Sequence, residues 1–328
     1  MPFILRRLVF YLVAAWVALT INFFIPRAMP GNAVQSVMAK FPNLQPSAYK
    51  ALQALLGVGN PGSLWHQYVS YLDDVFHFNF GTDVSQYPAS VSSLLAQTLP
   101  WTITLVGVAT VIAFLIGTAL GIVAGWRHGG RLDRVLPGLM FLQAIPYFFF
   151  ALILVELFAI RWHVFPAGQG YANGLIPGWH WDFISSALYH SALPALTIVL
   201  TSIAGWMLQM RNVMITTSGE DYVIAAQAKG LPSRRVIYTY AARNALLPQL
   251  QGFGLAVGFV VSGAIVMEIV FGYPGIGLLL LNAVTSNDYP LMQAIFLVIT
   301  FAVLLANLIV DMIIVVADPR ARRMEATS

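Results

Sequence analysis

The feature that most restricts how this chain can fold is a set of long apolar runs. Residues 8–25 read "LVFYLVAAWVALTINFFI" with no charge at all. A helix needs about 20 apolar residues to cross the hydrocarbon of a bilayer. Six segments reach that length: 8–25, 99–126, 132–160, 191–210, 251–271 and 291–317. The expected architecture is therefore all-α and polytopic, with six transmembrane helices. Composition agrees, since 9% of the 328 residues are charged and 59% hydrophobic, where soluble domains are about a quarter charged and about half apolar. The absence of cysteine excludes disulfides and thiolate metal sites. The first run follows Arg6 and Arg7 and could pass for a signal peptide. It is longer than the usual signal core of about 7–15 residues, so an uncleaved first span is expected.

Basic residues then predict the orientation. Thirteen fall on one side: Arg6, Arg7, Arg127, Arg131, Arg134, Arg211, Lys229, Arg234, Arg235, Arg243, Arg320, Arg322 and Arg323. Four fall on the other: Arg27, Lys40, Lys50 and Arg161. That asymmetry is the positive-inside signature and puts both termini in the cytoplasm. The expected parts are a first helix with its cytoplasmic N-terminus (1–26), an extracytoplasmic region (27–98), a transmembrane core (99–319) with a cytoplasmic loop at about 216–249, and a cytoplasmic tail (320–328). The extracytoplasmic region contains an interfacial helix candidate, "LWHQYVSYLDDVF". Its aromatic residues, like Trp162, Trp179 and Trp181 in the second outer loop, suit a belt at the water–lipid boundary, with a docking surface or pore lid as the alternative.

Within the spans, Gly117, Gly121 and Gly125 recur every four residues and offer one helix face for close backbone approach. Gly252, Gly254, Gly258 and Gly263 serve the same end in the fifth span. Pro100, Pro137, Pro146 and Pro194 are expected to kink or end helices. Glu156, Glu268 and Asp311 are carboxylates in or near spans, where ionisable groups are costly and often functional. All three lie towards span ends, where water or an arginine is within reach. Glu268 is the hardest to dismiss, and it keeps a proton-coupled carrier in play. The six histidines show no metal-ligand spacing, and no Gly-x-Ser-x-Gly, phosphate-binding Gly-x-x-x-x-Gly-Lys or His-Glu-x-x-His occurs. Hydrolysis by this chain, of ATP or anything else, is unsupported.

The cytoplasmic loop gathers the charge that the rest of the chain lacks. In "EDYVIAAQAKGLPSRRVIYTYAARNALLPQL" (220–250), Ser218 and Asp221 match a capping box. A helix is predicted from there through Tyr222, Ala225 and Ala226 to Lys229, stopping at Gly230. Leu231-Pro232 makes a turn, Ser233 caps a second short helix with Arg234, Arg235 and Arg243, and Pro248 marks the return to the membrane. Two short helices, one lined with small alanines and one with arginines, form a compact docking knob for a partner. Anchoring at anionic lipid heads is the blander reading. A DNA reader is excluded by the loop's two membrane tethers.

This loop resembles the EAA loop of permease subunits in bacterial ABC importers, and specifically the dipeptide/oligopeptide/nickel branch. The shared residues are Ala225-Ala226-x-x-x-Gly230 and the closing Leu247-Pro248; Ile224 stands where the usual pattern has glutamate, as the peptide branch does. "FILRRLVFYLV", "PGNAV", "FNFGTDV", "DRVLPG", "FGYPGIG", "NDYP" and "VDMIIVVADPRAR", in that order, extend the resemblance to B-type peptide permeases over nearly the whole chain. The resemblance implies the type I importer fold in the inner membrane and pairing with a homologous second permease. It also implies two ATP-binding subunits and an extracytoplasmic solute-binding protein. Asp221, Tyr222, Ala225, Ala226, Lys229, Gly230, Leu231, Arg234 and Arg235 would then couple to the ATPase. The chain itself would bind no cofactor; ATP and Mg²⁺ would sit on the partners. The implied cargo is oligopeptide, with oligosaccharide or nickel as alternatives.

Overall fold

The computed structural model describes residues 3–28, 63–83, 89–258, 260 and 265–317. The described residues are helical with one isolated antiparallel bridge, Thr82 to Ser90. In chain order the helices are α1 (Phe3–Ala28), α2 (Leu64–Phe76), α3 (Val91–Trp126), α4 (Arg131–Ala144), α5 (Tyr147–Leu154), α6 (Trp181–Ser218), α7 (Asp221–Ala228), α8 (Arg243–Gly258), α9 (Ile265–Val270), α10 (Ile276–Thr285) and α11 (Tyr289–Ala317). A π-helical stretch, Val155–Arg161, extends α5. A second one, Val236–Ala242, leads into α8.

Among the described residues, four helices contain stretches long and apolar enough to cross a membrane: Arg6–Ile25, Val91–Trp126, Trp181–Ser218 and Tyr289–Ile309. A bent pair makes five if it counts as one span. The expected third span, 132–160, is that pair: α4 and α5 meet at 98°. The break falls where Ile145 takes extended angles (φ −73°, ψ 127°) ahead of Pro146, which cannot donate to a continuing ladder. Pro100, Pro137 and Pro194, expected to kink or end helices, do not end them: they lie inside α3, α4 and α6. The expected fifth span, 251–271, appears as the end of α8 and as α9; Phe259 and 261–264, Gly263 among them, lie outside the described residues. Helices α3 and α6 also begin earlier than the expected 99 and 191, and at 36 and 38 residues they far exceed what a bilayer requires.

The chain divides into two compact units. The first comprises Met1–Thr102 with Pro274–Leu304. Here Asn22 of α1 and Gln293 of α11 exchange side-chain-to-backbone bonds: Asn22 Nδ2 donates to the Gln293 carbonyl at 2.9 Å, and Gln293 Nε2 to the Asn22 carbonyl at 3.3 Å. The Thr102 hydroxyl accepts from the Ile276 N–H at 2.9 Å, satisfying a donor at the start of α10. Asp288 does the same for α11, accepting from the Leu291 N–H at 3.0 Å.

The second unit comprises Ile103–Tyr273 with Leu305–Ser328. Its spine is the pair α3–α6, packed in parallel through the glycines that the sequence spaced by four. A Cβ on Gly117, Gly121 or Gly125 would fall 2.5–2.6 Å from the Cβ of Trp206, Met210 or Met214 respectively. Only glycine permits that approach. Gln249 of α8 ties the same pair, its Nε2 donating at 3.1 Å to both the Thr118 hydroxyl and the Trp206 carbonyl. Phe114, Trp206 and Phe253 stack beside it, the Phe114 and Phe253 centroids 4.3 Å apart.

The carboxylates singled out in the sequence separate. Glu156 is exposed in the π-helical stretch. Glu268, expected at a solvated span end, is wholly buried in α9 beside Met267. Asp311 is half-buried on α11, and the arginines expected near it, Arg320, Arg322 and Arg323, lie outside the described residues.

Candidate functional site

The site is built at the end of α6. Ser218, expected to cap the next helix, is the last residue of α6, and its hydroxyl donates back to the Met214 carbonyl at 2.7 Å. A serine that bonds backwards within one helix is unavailable as a cap for the next. Gly219 makes the turn and Glu220 occupies the cap position without a side-chain bond. Helix α7 then runs Asp221–Ala228, with Lys229 at its C-cap.

Its end matches the expectation closely. Gly230 has φ +71°, the left-handed conformation that glycine adopts without penalty. The Leu231 N–H bonds the Ala226 carbonyl at 3.4 Å and the Gly230 N–H bonds that of Gln227 at 2.9 Å. This 6→1 and 5→2 pair is the Schellman stop. Leu231 adds the apolar contact that accompanies it, packing on the cluster beneath.

That cluster decides which residues of the loop can meet a partner. Val223 and Ala226 are buried against Met210 and Met214 of α6, Val236, Ala241, Ala242 and Ala245. Ala226, expected on the docking face, is therefore turned inward, where its small size lets α7 settle on its own chain. Asp221, Tyr222, Ala225, Lys229 and Gly230 are exposed, as are Arg234 and Arg235. Ile224 is also exposed, at 51%, so the position of the missing glutamate presents an apolar side chain.

The second helix is not short. Ser233 is its first residue rather than a capping side chain, Pro232 precedes it, and helical angles persist through the π-helical stretch into α8. Pro248 lies inside α8 rather than at a return. The loop is thus one compact helix clamped between two long ones.

Sequence reasoning missed one polar feature beside it. Arg211 of α6 makes a two-pronged bond to Asp133 of α4, Nε to Oδ1 at 2.7 Å and Nη2 to Oδ2 at 3.0 Å. Asp133 also accepts from the Gly129 N–H at 2.6 Å. Asp133 stands in "DRVLPG" and Arg211 is 78 residues away, so no local pattern links them. Among the described residues no group of three His, Asp or Glu is arranged to hold a metal.

The profile of the binding-protein-dependent transport system inner membrane components matches residues 117–323, which include α4–α11 and the whole cytoplasmic loop. The chain belongs to that family. It is 31% identical to the dipeptide transport system permease protein DppB of Escherichia coli K12, over 98% of this chain and 99% of that one. It is 32% identical to the oligopeptide transport system permease protein OppB of Haemophilus influenzae, again over 98% and 99%. The oligopeptide transport system permease protein AppB of Bacillus subtilis is 29% identical over 92% of each chain. The permease is thus a multi-pass inner-membrane protein, and a transport subunit by family.

Proposed function

We propose that this permease subunit serves an ATP-driven importer of peptides, forming half of an alternating-access path and receiving an ATP-hydrolysing subunit on the exposed face of α7. The observation that carries the reading is the seating of α7. One face is locked by Val223, Ala226 and Leu231 onto the end of α6, and the other offers Asp221, Tyr222, Ile224, Ala225 and Lys229. A short helix capped at Gly230 and clamped from behind can transmit a push without deforming. Coupling then requires only that the ATPase contact α7 differently in its two states.

Peptide cargo is supported by the relatives, whose names assign them to dipeptide and oligopeptide transport. The assembly would hold a homologous second permease, two ATPases carrying ATP and Mg²⁺, and an extracytoplasmic solute-binding protein, with this chain non-catalytic. The charge asymmetry of thirteen against four supports six spans with both termini in the cytoplasm. A second reading, a proton-coupled carrier, draws on the complete burial of Glu268.

Reconstitution separates the two. Proteoliposomes with this chain alone should not accumulate labelled peptide under a pH gradient. Adding the second permease, the ATPases, the binding protein and ATP should give uptake that unlabelled peptide competes away and oligosaccharide or nickel does not. Uptake by the lone chain driven by the gradient would reverse the assignment.

A further inference from the structure

Helix α2 plays no part in the transport reading, yet its residues are sorted sharply. On a helical wheel Tyr71, Leu64, Val75, Tyr68, Leu72, Trp65, Phe76 and Val69 fall on one continuous arc. Asp73, His66, Ser70, Asp74 and Gln67 fill the other. Half of the apolar arc is used within the chain. Tyr68 and Tyr71 pack on Phe23 of α1, with ring centroids at 5.1 and 5.6 Å. Their hydroxyls meet Thr20 Oγ1 at 2.8 Å and Asn22 Nδ2 at 3.2 Å. The remaining half is bare, Trp65 being 72% and Phe76 74% exposed, and Val69 exposed between them.

The contacts with α1 fix the depth at which that bare half lies. The membrane-capable stretch of α1 ends at Ile25. Thr20 and Asn22 lie within about 8 Å of that end, at ~1.5 Å per residue. Amphipathic helices at a bilayer surface bury their apolar face about 5–10 Å into the boundary between headgroups and acyl chains, which is the same zone. Arg27, one turn beyond Phe23, bonds Gln67 Oε1 at 3.3 Å and so marks the polar side of the boundary. The bare arc carries no charge, and at the same end of α1 the apolar Ile21, Phe24 and Ile25 are also exposed.

We propose that α2 lies in the interfacial layer of the bilayer at the end of α1 remote from Arg6 and Arg7, with Trp65, Val69 and Phe76 against lipid and Ser70 and the aspartates facing water. The helix is then a float that sets the depth and tilt of the first span. The inference rests on α1 being a span and not on the identity of the cargo or on ATP coupling.

The chain has no cysteine, so Trp65→Cys, Val69→Cys, Phe76→Cys and Ser70→Cys each provide one attachment point for a nitroxide. The full chain would be reconstituted in nanodiscs of phosphatidylethanolamine and phosphatidylglycerol. Collision rates would then be measured with oxygen, which enters lipid, and with a water-soluble nickel chelate. The oxygen-to-nickel ratio should be several-fold higher at 65, 69 and 76 than at 70. A ratio at 65 and 76 equal to that at 70 would place the arc in water. Labels there that neither reagent reaches would place it under protein, whether residues 29–62 or another chain. Either result overturns the proposal. An unlabelled check uses lipids brominated near the headgroup: they should quench the wild-type chain more than Trp65→Phe, and equal quenching would also overturn it.

Discussion

At Gly230 the shape of the cytoplasmic loop depends on one missing carbon. Its φ of +71° would cost a side-chain-bearing residue roughly 1–2 kcal/mol. No atom lies within 4 Å of where a Cβ would stand, so the penalty is one of backbone alone. Gly230→Ala should speed amide exchange across residues 225–231 and weaken capture of the ATPases, while the melting temperature of the whole chain barely moves. Gly230→Asn should keep most of both, since asparagine tolerates that conformation. Gly230→Arg adds bulk and charge to the same strain and should abolish capture while membrane insertion persists. Normal ATPase capture by Gly230→Arg would remove the docking role of α7.

Gln249 offers a second test at the same scale. Its Nε2 must face the Trp206 carbonyl, which only accepts, so Oε1 is left buried without a hydrogen bond. Leucine removes the unsatisfied Oε1 but also takes a donor from the Thr118 hydroxyl and the Trp206 carbonyl, which stay in place. Gln249→Leu should therefore cost about 1–2 kcal/mol of unfolding stability. Gln249→Glu buries a charge with nothing to pair it and should cost ~3 kcal/mol or more. Thermal unfolding of both variants in detergent would check the pair, and a Gln249→Leu chain as damaged as Gln249→Glu would contradict the assignment of the amide.

Among the elements, the α3–α6 pair is the most sharply specified. Gly121→Ala sets a methyl 2.6 Å from the Met210 Cβ and must force the helices apart. Gly107 lies on the same helix with no atom within 4 Å of its Cβ position. Gly107→Ala should be neutral or stabilising by about 0.5–1 kcal/mol through helix propensity, and Gly121→Ala clearly destabilising. Equal melting temperatures for the two would show that the close approach is absent.

The close-approach face of α3 was legible in the sequence because small residues every four positions suit backbone contact, while its partner α6 was not, since nothing local links the two. The prolines were less legible. Pro146 breaks a helix while Pro100, Pro137 and Pro194 do not, and a proline alone does not say which, because the bond it removes can be given up within a continuing helix. Ser218 misled for a related reason. A serine three residues before an aspartate suits either the start of one helix or the end of another, and the packing of Met210 and Met214 carries α6 past the pattern. The inward turn of Ala226 was readable in principle from its i, i+3 spacing to Val223, since both match a buried stripe.

For the whole molecule, the division into membrane and loop follows from composition, and the family from motifs spread over the chain. Contacts between distant residues do not, and Asp133 with Arg211 is the example: two largely covered charges whose meeting depends on how α4 leans on α6. Orientation is the global property open to direct measurement. With no native cysteine to interfere, Lys229→Cys should react with an impermeant maleimide only once the cytoplasmic face is opened. Trp179→Cys, at a residue 99% exposed, should react in intact cells.

The glycine contacts between α3 and α6 have a mechanical corollary. Two rods joined at three successive rungs cannot slide past one another by less than a full rung, because a smaller shift would drive side chains into backbone. A tug applied at Gly219 is thus shared at once by both helices over residues 117–125 and 206–214, roughly 12 Å at ~1.5 Å per residue, and along that length the twin rods must swing as one.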